Sequence, residues 1–399
     1  MPRFAIGCTI GGMNQPPIQD NTKKQVRNIL AVIAAILCLA ILKICASFII
    51  PIVVAFFIFV LVNPILSRMD QLKIPRIIST ILVMLLVLVV FILFVYVFFL
   101  MVNMLIQPDG IPAYASRIQS FDRYGSAFLA PYLDEDPETF SILRFLNIDW
   151  YGVLMASLSS ISGKFISIFS DALLVYVYLL FIILERQTIF PKLLEAFPRG
   201  KAQRAGQLVS RMNRQMSKYL EIKVIISIAT GVLFYFASRL SGLDFALVWG
   251  VLAVILNFIP TIGSIVGTAG TIMMAIIQFA PDWSYVIYVA LLMISIEMVL
   301  GNIIDPRLQG VQLNISPLVI LISLAIWGYI WGIAGMFLAV PLTSIVQIIC
   351  ANIPSLKPIA IMLSEGADYR RRFERQKKRK KKFSHEIPEE DITPPDAKV

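Results

Sequence analysis

Glu297 is the residue of this chain with the strongest claim to chemistry. It lies deep in an apolar run, 284–303, too far from either end for its short side chain to reach water. A carboxyl placed in hydrocarbon is costly, so such groups face a cavity, a partner or an ion path. Two readings follow: a transport role, in which Glu297 takes and releases a proton or cation, and a structural hydrogen bond. Downstream, residues 301–310 (GNIIDPRLQG) set Asn302, Asp305 and Arg307 between Gly301, Pro306 and Gly310, a mixture that cannot continue a lipid-facing helix. They read either as a capped turn at the inner mouth of a path or as a plain loop with a helix cap.

A second polar break is 257–264 (NFIPTIGS), followed by Gly267 and Gly270. Pro260 lacks a backbone donor and clashes with the carbonyl four residues earlier, so a helix must break or kink there. The freed carbonyls, with Asn257 and Thr261, are suitable ligands for a small polar solute or cation. The competing reading is packing alone, because Gly263 and Gly267 at four-residue spacing let two helices approach closely. A third break, 326–335 followed by Pro341, carries Gly332 and Gly335. Paired Gly/Pro-broken segments around Pro260 and Pro341 are what a transporter with midplane half-helices shows. Trp327, Tyr329 and Trp331 read as an interfacial belt or as a stacking surface.

The chemistry that is missing narrows the field. His385 is the only histidine and lies in the tail, and the four cysteines, Cys8, Cys38, Cys45 and Cys350, are scattered. No Ser-His or Cys-His pair can be built in the body, so no enzyme is expected. No metal site and no cofactor are expected either. No GxxxxGK[ST] loop occurs, so energy must come from an ion gradient, the solute's own gradient or a separate protein.

The elements that must position these groups are apolar helices. Of 399 residues, 58% are hydrophobic and 15% charged, with a mean hydropathy of +0.80. Soluble domains carry about 25% charge and about 45–50% apolar residues. The excess lies in runs at 28–49, 50–66, 77–106, 160–184, 222–240, 245–259, 262–280, 284–303, 315–333 and 334–353. Several are short or broken, so the expectation is an all-α polytopic membrane protein with about eight (seven to ten) transmembrane or re-entrant helices. Lys43 sits near a span end and can snorkel; Asp171 pairs either with backbone or with solvent.

Charge sets the expected sidedness. Residues 107–153 hold seven acidic residues against three Arg, while 185–223 hold nine Lys/Arg against three Glu. Under the positive-inside bias both termini and 185–223 lie in the cytoplasm and 107–153 outside. Of the net +10, a surplus of nine sits in 370–382 (RRRFERQKKRKKK), directly after the last apolar run. That placement suits anionic lipid heads and not nucleic acid. Pro16-Pro17 and polar residues precede the first run, so no cleavable signal is expected.

The expected organisation is a cytoplasmic arm 1–27, first spans 28–106, an extracytoplasmic segment 107–159 and a span 160–184. A cytoplasmic amphipathic connector 185–221, a transport core 222–353 and a largely disordered tail 354–399 complete it.

The segments 48–51 through 62–64, 257–263, Pro306-Arg307 with Gly310, 316–319 and 332–342 together resemble the AI-2E family of bacterial transporters, which includes the PerM-like permeases. The resemblance covers roughly 20–355. It departs at Thr261, where many members have an aromatic residue, and at Ser316, where many have His. It implies a bacterial inner-membrane exporter of a small polar solute or signalling molecule such as autoinducer-2. It also implies a homo-oligomer, of which a pentamer is one form. Other members are sodium(lithium)/proton antiporters, the alternative reading here. On either reading Asn257, Pro260, Thr261, Gly263, Glu297, Asn302, Asp305 and Arg307 would form the path, with Gly267, Gly310, Gly332, Gly335 and Pro341 as hinges or packing points. A membrane scaffold that recruits partners is the reading outside transport.

Overall fold

The computed structural model describes residues 18–107, 111–133, 136, 140–141, 145, 150–196, 199–309 and 314–366. Every regular element among them is helical, and six helices are long and apolar enough to cross a membrane, with two shorter apolar helices beside them. The chain is an all-α polytopic membrane protein. It divides into two compact units, 1–49 and 50–399. In the first, α1 (Ile18–Ile44) carries Lys43 in its last turn, where a cation complements the helix dipole.

α2 (Ala46–Gln71) begins in the first unit, and the second is organised around its remainder, which contains Pro51 and Pro64. One face of α2 (Ala55, Val62, Leu66) packs on Val83 and Met84 of α3 (Arg76–Ile106) and on Leu179 and Ile183 of α5 (Trp150–Glu185). Its other face (Phe57, Val60) meets Met216, Tyr219 and Leu220 of α7 (Arg199–Leu240) and Leu338 and Val340 of α12 (Pro317–Asn352). Most large side chains of α3 are exposed, among them Ile81, Leu85, Leu86, Val89 and Phe94. That apolar surface suits lipid.

At two of the expected segment boundaries the helix runs on without a break. The span at 160–184 is the second half of α5, which begins at Trp150 and runs through the outer end of the expected 107–159 segment. That segment also contains α4 (Ile111–Leu133). The connector 185–221 is a short α6 (Ile189–Ala196) and then the first half of α7, which continues without interruption into the 222–240 span. No proline lies between 199 and 240 to stop the helix.

The polar breaks become two helical hairpins. The first pairs α8 (Ala246–Leu256) with α9 (Ile262–Phe279) around a turn at 257–261. At 11 residues α8 is about 16 Å long, half of a bilayer core of about 30 Å. A Cβ added to Gly263 would stand 1.7 Å from the carbonyl oxygen of Leu256, so the return strand of the hairpin passes where only glycine fits. Gly267 is different: an added Cβ meets only a Leu256 methyl at 3.7 Å.

The second hairpin lies within α12, which reverses at Gly332 (φ 62, ψ −138), a conformation that favours glycine. Its arms pack closely, with an added Cβ on Gly335 falling 1.9 Å from the Trp327 carbonyl oxygen. Trp327 Nε1 donates to Thr343 Oγ1 across the arms at 3.2 Å, and Trp331 is buried. Of the three aromatics only Tyr329 is exposed, so the pair of tryptophans serves the hairpin and not a belt. Pro341 is buried in the second arm. The two hairpins meet where Ile259 packs on Leu324 and Ala339, and where the Phe258 and Phe337 rings stack at 4.5 Å.

After α10 (Trp283–Glu297) the helix widens into a π-helical stretch, Met298–Ile304, and closes with α11 (Asp305–Gln309). Residues 354–366, expected in the tail, instead form a 3-10 turn (Pro354–Leu356), α13 (Lys357–Leu363) and an antiparallel bridge between Ser364 and Ile315. The prolines at 354 and 358 end one helix and open the next. The basic run 370–382 lies outside the described residues.

This packing separates the two glycines of the GxxxG pair. Gly263→Ala should destabilise the protein by about 1–3 kcal/mol through overpacking, while Gly267→Ala should stay within about 0.5 kcal/mol of wild type. Thermal unfolding in detergent reads both; equal behaviour of the two would contradict the hairpin geometry.

Candidate functional site

A cavity of about 880 Å³ opens between the first hairpin, α7, α10 with its π-helical extension, and the start of α12. Six of the path residues expected from sequence line it: Asn257, Pro260, Thr261, Glu297, Asn302 and Asp305. Gly263 sits beside it in the packing of α8 on α9. Arg307 is exposed and is not among the lining residues. Gly310 lies outside the described residues. Gly332, Gly335 and Pro341 belong to the second hairpin, and Gly267 lies in α9.

Glu297 is the last residue before the π-helical stretch. A π turn adds a residue to the ladder and re-aims its neighbours, and such turns gather at functional sites. The Oε1 atom of Glu297 is buried with no hydrogen-bond partner. Gly301, one turn on, leaves it room: an added Cβ there would come within 3.0 Å of Oε1. Also lining the cavity are Thr261, which precedes α9, and Ser264 and Thr268 within it, three and seven residues on. The Thr268 hydroxyl is likewise buried and unpartnered. Asn257 is held by α7, donating from Nδ2 to Ser227 Oγ at 3.1 Å.

Asp305 does not simply cap a turn. Its Oδ2 takes an ion pair from Lys223 Nζ at 3.0 Å, with the Lys223 side chain 4% exposed and Asp305 15%. Tyr219, one turn earlier on α7, is buried at the same end of the cavity. Sequence reasoning missed Lys223 because it was counted with the basic surplus of 185–223. Its position gave a signal, since it falls on the same helical stripe as the buried Met216, Tyr219, Leu220, Ile226, Ser227 and Thr230. Glu365 was missed as well, and it reaches the rim because its backbone N–H donates to the Asn314 carbonyl at 3.2 Å. Gln347 donates to the same carbonyl at 2.8 Å. Among the described residues no three His, Cys, Asp or Glu come together as a metal set.

At the opposite end of α7 the turn into α8 is clamped from several sides. Tyr114 of α4 donates to Asp244, and Arg117 lies 3.4 Å from the same carboxylate and 5.0 Å from the Tyr114 ring centre. Gln278 donates to the Gly242 carbonyl and accepts from the Asp244 N–H, while Tyr285 donates to the Ser241 carbonyl. Burial and then the Asp244 carboxylate push the Tyr114 hydroxyl well above the usual phenol range, so it stays a donor at physiological pH. The first hairpin is thus fixed at its α7 end, while its tip lines the cavity and packs on the second hairpin.

Residues 29–355 match the model of the AI-2E family transporter. A candidate transport protein of Borreliella burgdorferi is 33% identical over 303 residues, covering 76% of this chain and 81% of its own length. One of Haemophilus influenzae is 28% identical over 356 residues, 86% of this chain and 98% of its own. The AI-2 transport protein TqsA of Escherichia coli is 29% identical over 330 residues, 81% of this chain and 91% of its own.

The buried pair makes a sharp stability prediction. Lys223→Met should cost about 3 kcal/mol, because it strips the ammonium from a largely buried carboxylate, and adding Asp305→Asn should recover most of the loss. Thermal unfolding of the single and double variants in detergent measures this. A single variant within about 0.5 kcal/mol of wild type would show the pair to be energetically idle.

Proposed function

The chain belongs to the AI-2E transporter family, and on that premise we propose that it is a secondary exporter of a small polar solute, with autoinducer-2 the first candidate. The observation that carries this reading is the buried, unpartnered Oε1 of Glu297 in the lining of an 880 Å³ cavity between two broken helices. Ligand sites typically measure about 300–1,000 Å³ and place a few convergent polar groups in an apolar wall. Here Asn257, Thr261, Ser264 and Thr268 supply those groups, and Ile265, Ile272, Ile294 and Ile320 supply the wall. Glu297 binds the coupling proton. The hairpin tip around Pro260 and the reversal at Gly332 are the hinges that expose the site alternately to the two sides. The cavity end bearing Lys223 and Glu365 faces the cytoplasm in the inner membrane, with both termini inside. Copies of the chain associate as a homo-oligomer.

A second reading, sodium(lithium)/proton antiport, is favoured by one feature: Glu297 and Asp305 line the same cavity. Monovalent cations would then exchange against protons on the two carboxyls.

Purified protein in liposomes separates the two. Efflux of autoinducer-2 that is stimulated by a pH or sodium gradient, and reduced to background in Glu297→Gln, is the expected result. Sodium-dependent proton movement without solute flux would replace the exporter by the antiporter. Absence of either flux in folded wild-type protein would contradict both.

A further inference from the structure

Among the described residues, four charged ones line the cavity: Lys223, Glu297, Asp305 and Glu365. One ammonium therefore stands against three carboxyls, a formal surplus of two negative charges. The ammonium is already committed, because Lys223 lies 3.0 Å from Asp305 and is almost wholly buried. The other natural place for an anion is the N-terminus of α9, where orphan N–H groups and the helix dipole would converge. Most of that place is taken up, since the Ile262, Gly263 and Ile265 N–H groups donate to the carbonyls of Pro260, Ile259 and Thr261 at 2.6, 3.0 and 3.1 Å. Hydroxyls and amides are what remain on offer, from Asn257, Thr261, Ser264 and Thr268.

We infer that the cavity takes an uncharged, hydroxyl-rich solute and rejects its anionic derivatives, and that Asp305 sets this preference by holding Lys223. The inference rests on the exporter reading and names the substrate class of that same site. Asp305 is here a specificity residue that works by neutralising a cation. Discrimination arises from what a wrong ligand would leave unpaired: a phosphate or carboxylate would meet carboxyls and, among the described lining residues, find no ammonium that is not already paired. Removing the Asp305 charge releases Lys223 into the cavity as an anion-binding group. Removing both charges restores the original balance.

Liposomes containing the full-length protein are loaded with autoinducer-2 and its phosphate monoester, and efflux of each is followed together. Wild type should release the uncharged compound and retain the ester. In Asp305→Asn the ratio of ester to uncharged solute should rise at least roughly tenfold, the least that one unit charge at contact distance gives in a partly wet cavity. The double variant Lys223→Gln/Asp305→Asn should return the ratio toward wild type, which mere loosening of the site would not do. An ester that leaves as fast as the uncharged solute in wild type, or an unchanged ratio in folded Asp305→Asn, would overturn the inference and leave the exporter reading standing. Failure of the uncharged solute to move would overturn the exporter reading and this inference with it. If Asp305→Asn does not fold, competition in wild type decides: excess ester that leaves autoinducer-2 efflux unchanged supports the preference, and inhibition by the ester overturns it.

Discussion

The structure depends on a single constraint: in hydrocarbon no backbone N–H or carbonyl can be left without a partner. Irregular chain at membrane depth is therefore tolerated only where it is buried in protein or lines a cavity. Pro260 and Gly332 each break a helix in the apolar core, and both breaks obey that rule. The first break closes on itself through N–H groups of 259, 262 and 263 that donate to carbonyls of 256, 260 and 259. The second folds its arms together so tightly that Gly335 abuts the Trp327 backbone. Each hairpin then supplies the shelter the other needs, through Ile259 against Leu324 and Ala339.

The same constraint explains where the polar side chains stand. A helix interrupted at its middle presents side chains that an unbroken span would turn toward lipid, so Asn257, Thr261 and Ser264 gather at the hairpin tip. The π-helical stretch does the equivalent on α10, re-aiming Glu297 and carrying Asp305 round to Lys223. One carboxyl is thereby paired within the protein and another is left open to the cavity. On the exporter reading, that asymmetry separates a structural charge from a functional one. The clamp on Asp244 by Tyr114 and Arg117 anchors the far end of the hairpin.

Much of the site was legible in the sequence because membrane depth makes polar residues conspicuous. Glu297 and the Asn257–Pro260–Thr261 cluster stand out against apolar neighbours, and the structure places both on one cavity. What escaped was hidden by segment-level reasoning. Lys223 was absorbed into a connector's charge, although α7 runs unbroken through position 222 and buries it on a helical stripe. Glu365 lies beyond the last long apolar run, and only the pairing of Ser364 with Ile315 brings it back to the rim. Such a pairing joins positions far apart in sequence and leaves no local pattern. The GxxxG spacing was equally ambiguous: at Gly263 an added Cβ would strike the Leu256 backbone, while at Gly267 it would make an ordinary contact with the Leu256 side chain, a distinction that depends on how close α8 comes at each turn.

The central claim is that solute occupies the cavity between the hairpins. Ser264 lines that cavity, and a cysteine is nearly isosteric with it. In a variant with Cys8, Cys38, Cys45 and Cys350 replaced and Ser264→Cys introduced, a water-soluble maleimide should label the thiol, and the transported solute should slow that labelling in proportion to its occupancy. Labelling at the same rate with and without a solute that the same variant demonstrably transports would contradict the account.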